Sequence, residues 1–360
     1  MLIQSIETVD VAVPLTKPFK TALRTVTTAY SIYVKVTTSE GLIGYGEAPP
    51  THVITGESMD SIRYAINEII APSLIGLNLL ESERIFQKLN ACLVRNTSAK
   101  AAVDMAIYDL LAQQSGLPLF QFLGGYKTTL ETDFTVSVNE PKEMADDAAR
   151  YVNEGFNVLK VKVGIGSIKD DIARIHAIRE RVGNKPKLRL DANQGWSAKE
   201  AVKAIRMMED AGLEIEFVEQ PVPAQDLEGL KKVTDCTDTL IMADESVFLV
   251  NDAKRVLEMR AADLINIKLM KSGGIYNAIK INTLAEANGV ACMVGSMIET
   301  KIGITAAAHF AASHPNIHYY DFDAPLMLAK DMIVGGVIYE GSKMSFSNEL
   351  GLGISRVEKG

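Results

Sequence analysis

The stretch KLRLDANQG (187–195) is followed along the chain by IEFVEQPV (215–222) and TLIMADES (239–246), and these three segments decide the fold. Each combines apolar and β-branched residues typical of a buried strand with a carboxylic acid near its end. Segments with helical periodicity separate them, as in repeated strand–helix units. The pattern therefore predicts an α/β fold with a parallel sheet.

The same alternation continues through eight strand-like segments after Gly125. A polar residue lies near the C-terminal end of each segment, at intervals of 24 to 29 residues. These eight residues are Thr135, Lys162, Asp191, Glu219, Asp244, Lys268, Ser296 and Asp321. An open doubly wound sheet places its ligand at one switch point, whereas a TIM-like barrel gathers functional residues from the ends of its strands. The recurrence at every strand favours the barrel.

The N-terminal part of the chain has a different pattern. Residues 1–50 alternate like the strands of a small antiparallel sheet. The segment SAKAAVDMAIYDLLAQQSG (98–116) predicts an amphipathic helix, with Ser98 as its N-cap and Gly116 just past its end. We therefore predict an α+β domain over residues 1–125.

Composition limits the partners and the compartment. The chain has 360 residues, a formal net charge of −8 and apolar and charged fractions that exclude general disorder. The negative charge argues against nucleic acid or an anionic membrane as the main partner. Cys92, Cys236 and Cys292 lack metal-ligand spacing and predict buried thiols of a reducing compartment. Because no signal peptide or membrane-length apolar run is evident, we predict a cytoplasmic protein.

Asp191, Glu219 and Asp244 follow consecutive strands, so a barrel would place them at neighbouring positions of its mouth. Three carboxylates without counter-charge would repel one another and raise their own pKa values. A hard divalent cation resolves this repulsion. An all-oxygen set without Cys or His suits Mg²⁺ rather than zinc. The alternative is that each acid only caps the helix or orders the loop after its own strand.

Lysines flank these acids. Lys160 and Lys162 alternate in VLKVKVG (158–164) and point to the same side of their strand, while Lys268 lies in LINIKLMK (264–271) beyond the acids. A nearby divalent cation or second ammonium lowers the pKa of a buried lysine toward the range of a general base. Two lysines across a metal suit removal of a proton next to a carboxylate and its return on the other face, which is racemisation or epimerisation. Solvated lysines or simple salt bridges are the alternative.

Several motifs resemble those of the muconate-lactonizing branch of the enolase superfamily, and the resemblance covers essentially the whole chain. The motifs are KVKVG (160–164), LDAN (190–193), EQP (219–221), ADES (243–246) and NIKLMKSGG (266–274). The resemblance implies a modified TIM barrel, (β/α)7β, with an enolase-like N-terminal α+β capping domain that carries mobile active-site loops. The implied limits are 1–125 for the cap, 126–325 for the barrel and 326–360 for a C-terminal segment that returns to the cap.

The resemblance also implies roles for the residues at the strand ends, since the superfamily combines lysine or histidine bases with Mg²⁺ that stabilises an enediolate. The implied ligands of one Mg²⁺ per subunit are Asp191, Glu219 and Asp244. The implied acid/base catalysts are Lys162 and Lys268, with Lys160 supporting the developing charge.

Two further features narrow the substrate. Asp321 and Asp323 alternate in YYDFDAP (319–325), so both carboxylates point the same way and suit an ammonium group. This Asp-x-Asp resembles the pair that binds the N-terminal ammonium in the dipeptide epimerases of the family. Arg24 lies in a polar loop of the predicted cap and is suited to pair with a substrate carboxylate. A helix-capping turn and a solvated loop cation are the respective alternatives.

The implied substrate is thus a dipeptide with an acidic second residue, and the resemblance points to L-Ala-D/L-Glu, a fragment of bacterial cell-wall peptide. Further expected substrate contacts are Thr135, Lys160, Ser296 and Ile298. The sequence is compatible with a homo-oligomer. Alternatives within the family are epimerisation of other dipeptides, o-succinylbenzoate synthesis, N-acylamino acid racemisation and muconate cycloisomerisation. Alternatives from other classes are a Schiff-base aldolase and a non-catalytic ligand-binding barrel.

Overall fold

The computed structural model describes residues 1–358 of the chain. The strands are β1 (Ile3–Lys20), β2 (Thr25–Thr38), β3 (Ile43–Ala48), β4 (Thr129–Glu131), β5 (Phe134–Val136), β6 (Val158–Lys162), β7 (Lys187–Asp191), β8 (Ile215–Glu219), β9 (Leu240–Ala243), β10 (Leu264–Lys268), β11 (Ala291–Gly295), β12 (Ile317–Tyr320), β13 (Ile333–Gly335), β14 (Ile338–Glu340), β15 (Lys343–Ser345) and β16 (Ile354–Val357).

Helices connect most of these strands. The α-helices are α1 (Met59–Tyr64), α2 (Ala71–Leu74), α3 (Ser82–Ala91), α4 (Thr97–Gln114), α5 (Leu119–Phe122), α6 (Pro141–Asn153), α7 (Ile168–Val182), α8 (Ala198–Asp210), α9 (Leu227–Cys236), α10 (Val250–Met259), α11 (Leu269–Ser272), α12 (Ile275–Ala287) and α13 (Lys301–Ser313). A π-helical segment (Ala65–Ile70) joins α1 to α2, and a 3₁₀ turn (Ala324–Met327) follows β12.

The first three strands form the antiparallel sheet that the alternation predicts, in the order β1–β2–β3. Helix α4 packs against this sheet, most extensively on β3. Two expectations about α4 are wrong. The helix is buried on every side rather than amphipathic, because α11 and α12 cover the surface that the cap sheet leaves free.

The N-cap of α4 also differs from the expectation. The helix begins at Thr97, so Ser98 lies inside its first turn. The free N–H groups of Ser98 and Ala99 instead donate to the buried carboxylate of Glu57, at 2.9 and 3.1 Å. A distant side chain thus satisfies the helix terminus, which no local pattern predicts. Gly116 follows the last helical residues in a left-handed conformation, as expected.

The eight strands β5 to β12 form one parallel sheet in sequence order, which confirms the enolase-like barrel. The sheet curls so that its first and last strands approach each other. The N–H of Asp133 lies 3.5 Å from the carbonyl oxygen of Tyr320, and the N–H of Phe322 donates to Thr132 Oγ1 at 2.8 Å. The carboxyl ends of all eight strands therefore surround one mouth.

Two buried carboxylates of the N-terminal region cap helices that follow barrel strands. Asp104 on α4 accepts the N–H of Ile275 at 2.5 Å at the start of α12. Glu47 on β3 accepts the N–H of Gly303 at 2.8 Å in the first turn of α13. Each carboxyl group thus accepts N–H groups at the positive end of a helix dipole, although burial raises the pKa of both acids. The pairs fix the cap over the sixth and seventh barrel strands.

The C-terminal segment packs against both parts of the molecule. Strands β14 and β15 add to β4, and β13 pairs with β16. Met332 and Ile333 share a small apolar cluster with Val11 and Val13 of β1. The limits proposed at residues 125 and 325 stay predictions. Within residues 1–358, none of the helices has both the length and the apolar character that crossing a bilayer requires.

Candidate active site

The ends of the barrel strands bring the predicted residues together. Lys162 is the last residue of β6, Asp191 of β7, Glu219 of β8 and Lys268 of β10. Asp244 directly follows β9. All five are at most 5% exposed. Burial of this many charges is tolerable only because each one contacts an opposite charge.

Lys160 lies at the centre of this charge cluster. Its Nζ is 2.8 Å from Glu219 Oε2, 2.8 Å from Asp321 Oδ2 and 3.1 Å from Asp191 Oδ2. Burial alone would lower the pKa of Lys160, but Asp321, Glu219 and Asp191 together raise it well above its ordinary value. Lys160 is therefore a fixed positive charge at the mouth of the barrel.

The other two lysines each pair with one carboxylate. Lys162 Nζ lies 2.6 Å from Asp191 Oδ2, and Lys268 Nζ lies 2.7 Å from Asp244 Oδ2. Burial lowers the pKa of Lys268, but Asp244 and Glu219 outweigh burial and the net shift is upward. This direction is opposite to the one expected for a general base, because the protein groups alone place more negative than positive charge around this ammonium.

The three carboxylates differ in their electrostatic surroundings. Burial would raise the pKa of Asp191, but Lys162 and Lys160 lower it to about 2. Burial and the neighbouring Asp191 raise the pKa of Glu219 to about 7. The pKa of Asp244 is lowered despite burial, mainly by Lys268 and Lys271. Asp191 and Asp244 are thus held as carboxylates, the form that binds cations.

The donor set fits a hard cation in its chemistry. Asp191, Glu219 and Asp244 are fully buried and offer only oxygen ligands. Glu219 Oε2 and Asp244 Oδ1 accept no hydrogen bond and are balanced only by the ammonium groups of Lys160 and Lys271. In residues 1–358, no three acidic, histidine or cysteine side chains converge as a ready ligand set. Lysine ammonium groups lie between the carboxylates.

Asp321 and Asp323 occupy the side of the mouth that follows β12. Both are buried, and Asp323 Oδ2 accepts the N–H of Thr135 at 2.6 Å. Burial and the neighbouring Asp321 raise the pKa of Asp323 to about 7. Ser296 donates from Oγ to the carbonyl oxygen of Asp321 at 3.3 Å. The aspartate pair therefore forms an acidic wall beside Lys160.

Arg24 reaches the same cavity from the loop between β1 and β2. A turn orders this loop, since Thr21 Oγ1 accepts the N–H groups of Leu23 and Arg24 at 3.1 and 3.3 Å. Burial lowers the pKa of Arg24. Within the described part of the chain, its guanidinium has no ion pair and no hydrogen bond. A desolvated and unpaired guanidinium is suited to an anionic ligand.

One small cavity of ≈ 50 Å³ unites most of the predicted site residues. Those that line it are Arg24, Thr135, Lys160, Lys162, Lys268, Ser296, Ile298, Asp321 and Asp323. Asp191, Glu219 and Asp244 lie beneath the lysines and do not line it. Phe19, whose ring lies 5.6 Å from Lys162 Nζ, lines the cavity and was not predicted.

Sequence reasoning missed several buried polar residues around the acids. Lys271 Nζ lies 2.6 Å from Asp244 Oδ1. The sequence feature that could have revealed Lys271 is the spacing of the two lysines in NIKLMK (266–271). Burial, together with Asp244, raises the pKa of Glu245 to about 8. Glu299, for which the sequence suggested no role, accepts the N–H of Met297 at 2.8 Å and so orders the segment after β11.

Comparison with known families covers nearly the whole chain. The N-terminal domain of mandelate racemase / muconate lactonizing enzyme matches residues 3–124, and the enolase C-terminal domain-like family matches residues 143–359. The chain is 64% identical over 354 residues to the L-Ala-D/L-Glu epimerase of Bacillus subtilis (strain 168), covering 98% of this chain and 97% of that protein. It is 50% identical to the L-Ala-D/L-Glu epimerase of Clostridium acetobutylicum, covering 99% of each.

Solved structures agree with these relatives. The substrate-liganded L-Ala-D/L-Glu epimerase from Bacillus subtilis superposes with a TM-score of 0.98 at 64% identity, covering 98% of this chain and 99% of that one. The dipeptide epimerase from Enterococcus faecalis V583, in complex with Mg and the dipeptide L-Leu-L-Tyr, superposes with a TM-score of 0.96 at 46% identity. That alignment covers 99% of this chain and 100% of the other.

Proposed function

The chain belongs to the mandelate racemase / muconate lactonizing enzyme family and is an isomerase, and from this premise we propose that it epimerises L-Ala-D/L-Glu at the glutamate α-carbon. The observation that carries the proposal is the shared cavity of Lys162 and Lys268. These lysines end strands β6 and β10, which are four strands apart in an eight-stranded barrel and therefore opposite each other. A substrate carbon between them is accessible from both faces.

The proposed reaction is a 1,1-proton transfer through an enediolate. One lysine removes the α-proton, and the ammonium of the other returns a proton to the opposite face. Mg²⁺ bound by Asp191, Glu219 and Asp244, one per subunit, would supply positive charge that stabilises the enediolate oxygens. Lys160 adds a fixed positive charge beside them.

Substrate selection follows from the two ends of the cavity. The acidic wall of Asp321 and Asp323 suits the N-terminal ammonium of a dipeptide. The unpaired guanidinium of Arg24 suits the side-chain carboxylate of the second residue. The substrates of o-succinylbenzoate synthase and N-acylamino acid racemase carry no free ammonium, so this wall disfavours them. We further propose a role in cell-wall peptide metabolism and a cytoplasmic location.

Hydrogen exchange at the α-carbon tests this function directly. L-Ala-L-Glu and L-Ala-D-Glu are incubated separately with the protein and Mg²⁺ in D₂O, with N-acetyl-L-Ala-L-Glu as the comparison. We expect both free dipeptides to gain one deuterium and to interconvert, and the acetylated one to react far more slowly. EDTA should stop the reaction. Deuterium uptake only into the acetylated substrate would favour N-acylamino acid racemisation instead.

A further inference from the structure

Gln220, which directly follows Glu219, has an unusual backbone conformation for its residue type. Its φ is +36°, in the left-handed region that non-glycine residues seldom adopt, and the residue is fully buried. Such a conformation persists only where the surrounding structure enforces it. The contacts of the Gln220 side chain identify what enforces it.

Every hydrogen-bonding position of the Gln220 amide has a partner. Oε1 accepts the N–H groups of Asp244 and Ser246 at 2.9 and 3.1 Å. Nε2 donates to the carbonyl oxygen of Val222 at 2.9 Å and to Ser246 Oγ at 2.8 Å. A buried amide with all four positions satisfied has one fixed orientation.

These contacts continue the barrel beyond the end of its strands. The pairing of β8 with β9 ends at Glu219 and Met242, and the N–H of Gln220 donates to the carbonyl oxygen of Met242 at 2.9 Å. Asp244 lies two residues further on, where its N–H bonds to the Gln220 side chain instead of the β8 main chain. A single side chain thus joins the segments that carry Glu219 and Asp244.

We propose that Gln220 is a positioning residue that sets the separation of the Glu219 and Asp244 carboxylates, and thereby the affinity of the site for a divalent cation. The inference rests on the proposed function, in which these carboxylates hold Mg²⁺. Gln220 lines neither the small cavity nor the acidic wall, so it acts only through its two neighbours.

Calorimetric titration of the full chain with Mg²⁺ tests the proposal. Gln220→Met removes all four hydrogen bonds at similar side-chain length, and we expect Mg²⁺ binding to weaken about 10- to 100-fold. At saturating Mg²⁺ the KM for dipeptide should return to the wild-type value, which general damage to the fold would not allow. Gln194→Met is the matched control. Gln194 also has a left-handed backbone conformation, but its Oε1 accepts only the N–H of Ala224. We therefore expect the Mg²⁺ affinity of Gln194→Met to change less than about twofold.

Gln220→Gly is a second variant, because glycine relieves the left-handed conformation and protects the fold while still removing the side chain. Mg²⁺ affinity within twofold of wild type in Gln220→Met and Gln220→Gly would overturn the proposal. So would a failure of both variants to fold, since the role of Gln220 would then be structural. If the unaltered chain binds no Mg²⁺, the proposed function fails instead, and the two failures are therefore distinguishable.

Discussion

The backbone N–H of Thr135 donates a 2.6 Å hydrogen bond to Oδ2 of Asp323, so the first barrel strand and the segment after the last one meet at a carboxyl group that lines the cavity. Above pH 7, where Asp323 is mostly ionised, Asp323→Asn keeps an oxygen that can accept this bond but removes the negative charge. We expect the KM for L-Ala-L-Glu to rise about 30-fold, since a hydrogen bond to a charged group contributes about 2 kcal/mol. Steady-state kinetics of epimerisation provide the measurement. An unchanged KM would mean that Asp323 closes the barrel without binding the ammonium.

Replacing either lysine of the opposed pair should slow epimerisation severely. Lys162→Ala and Lys268→Ala each remove one acid/base group, and we expect losses of about 10²- to 10⁴-fold. Each variant should still exchange the α-proton of one epimer with D₂O, because the other face keeps its base. Lys187→Ala is the control, since Lys187 is exposed and pairs with Glu216 outside the cavity. Epimerisation at the wild-type rate in both variants would refute the two-base scheme.

Arg24 should determine the preference for an acidic second residue. Arg24→Met removes the guanidinium, and we expect kcat/KM for L-Ala-L-Glu to fall about 30- to 100-fold, as for loss of a charge-assisted pair. The value for L-Ala-L-Leu should stay level or rise. Arg63→Met, which removes a half-buried arginine outside the cavity that pairs with Asp10 and Asp60, should leave both kcat/KM values unchanged. Equal losses for the acidic and the apolar dipeptide would contradict the role in specificity.

His309 makes stability depend on pH. Burial lowers its pKa from 6.5 to about 3, and its Nδ1 accepts the N–H of Phe120 at 2.9 Å in the neutral form. Below pH 6.5 the unfolded chain binds a proton that the folded chain does not. This residue therefore removes about 1.4 kcal/mol of unfolding free energy per pH unit as the pH falls toward 3.

Urea unfolding between pH 4.5 and 6.5 measures the slope of the unfolding free energy against pH. His309→Asn retains an acceptor near the Nδ1 position without a titratable group, so its slope should be shallower than that of wild type by about 1.4 kcal/mol per pH unit. His318→Asn changes an exposed histidine and should leave the slope unaltered. Identical slopes for wild type and His309→Asn would show that His309 does not carry the effect.

Gly274→Ala should destabilise the fold strongly. Gly274 has a φ of +115°, and an added Cβ would lie 2.2 Å from the Asp104 carboxylate carbon. We expect the free energy of unfolding to fall by about 3 kcal/mol, from strain and overpacking together. Gly289→Ala is the matched control, because Gly289 also has a positive φ but nothing lies near an added Cβ. We expect the free energy of unfolding to fall by only about 1 kcal/mol in this variant. Equal losses in the two variants would mean that contact with Asp104 adds nothing.

The barrel and its strand-end residues could be predicted because they leave local patterns. A strand such as LRLD (188–191) shows its burial and its terminal acid in four consecutive residues. The same holds for the alternation that puts Lys160 beside Lys162 and Asp321 beside Asp323. The fold is confirmed, whereas the individual site roles stay predictions.

The missed features depend on contacts between distant segments. Glu57 caps a helix 41 residues away, and Asp104 contacts Ile275 from 171 residues away. Neither acid differs in its local surroundings from an ordinary helix or loop residue. The upward pKa shift of Lys268 likewise depends on how many carboxylates surround one ammonium in space, which strand spacing does not reveal.

The contact of Asp104 with the start of α12 has a consequence for chimaeras that combine the cap of one relative with the barrel of another. Many barrels leave such a helix start open for a phosphate group, but here the Asp104 carboxyl group occupies that position. A chimaera that receives a foreign cap without an acid at this position would expose unsatisfied N–H groups, and a side chain at Gly274 would block any acid that is supplied. We therefore expect a cap to be exchangeable only where an acid at position 104 and a glycine at position 274 are both retained.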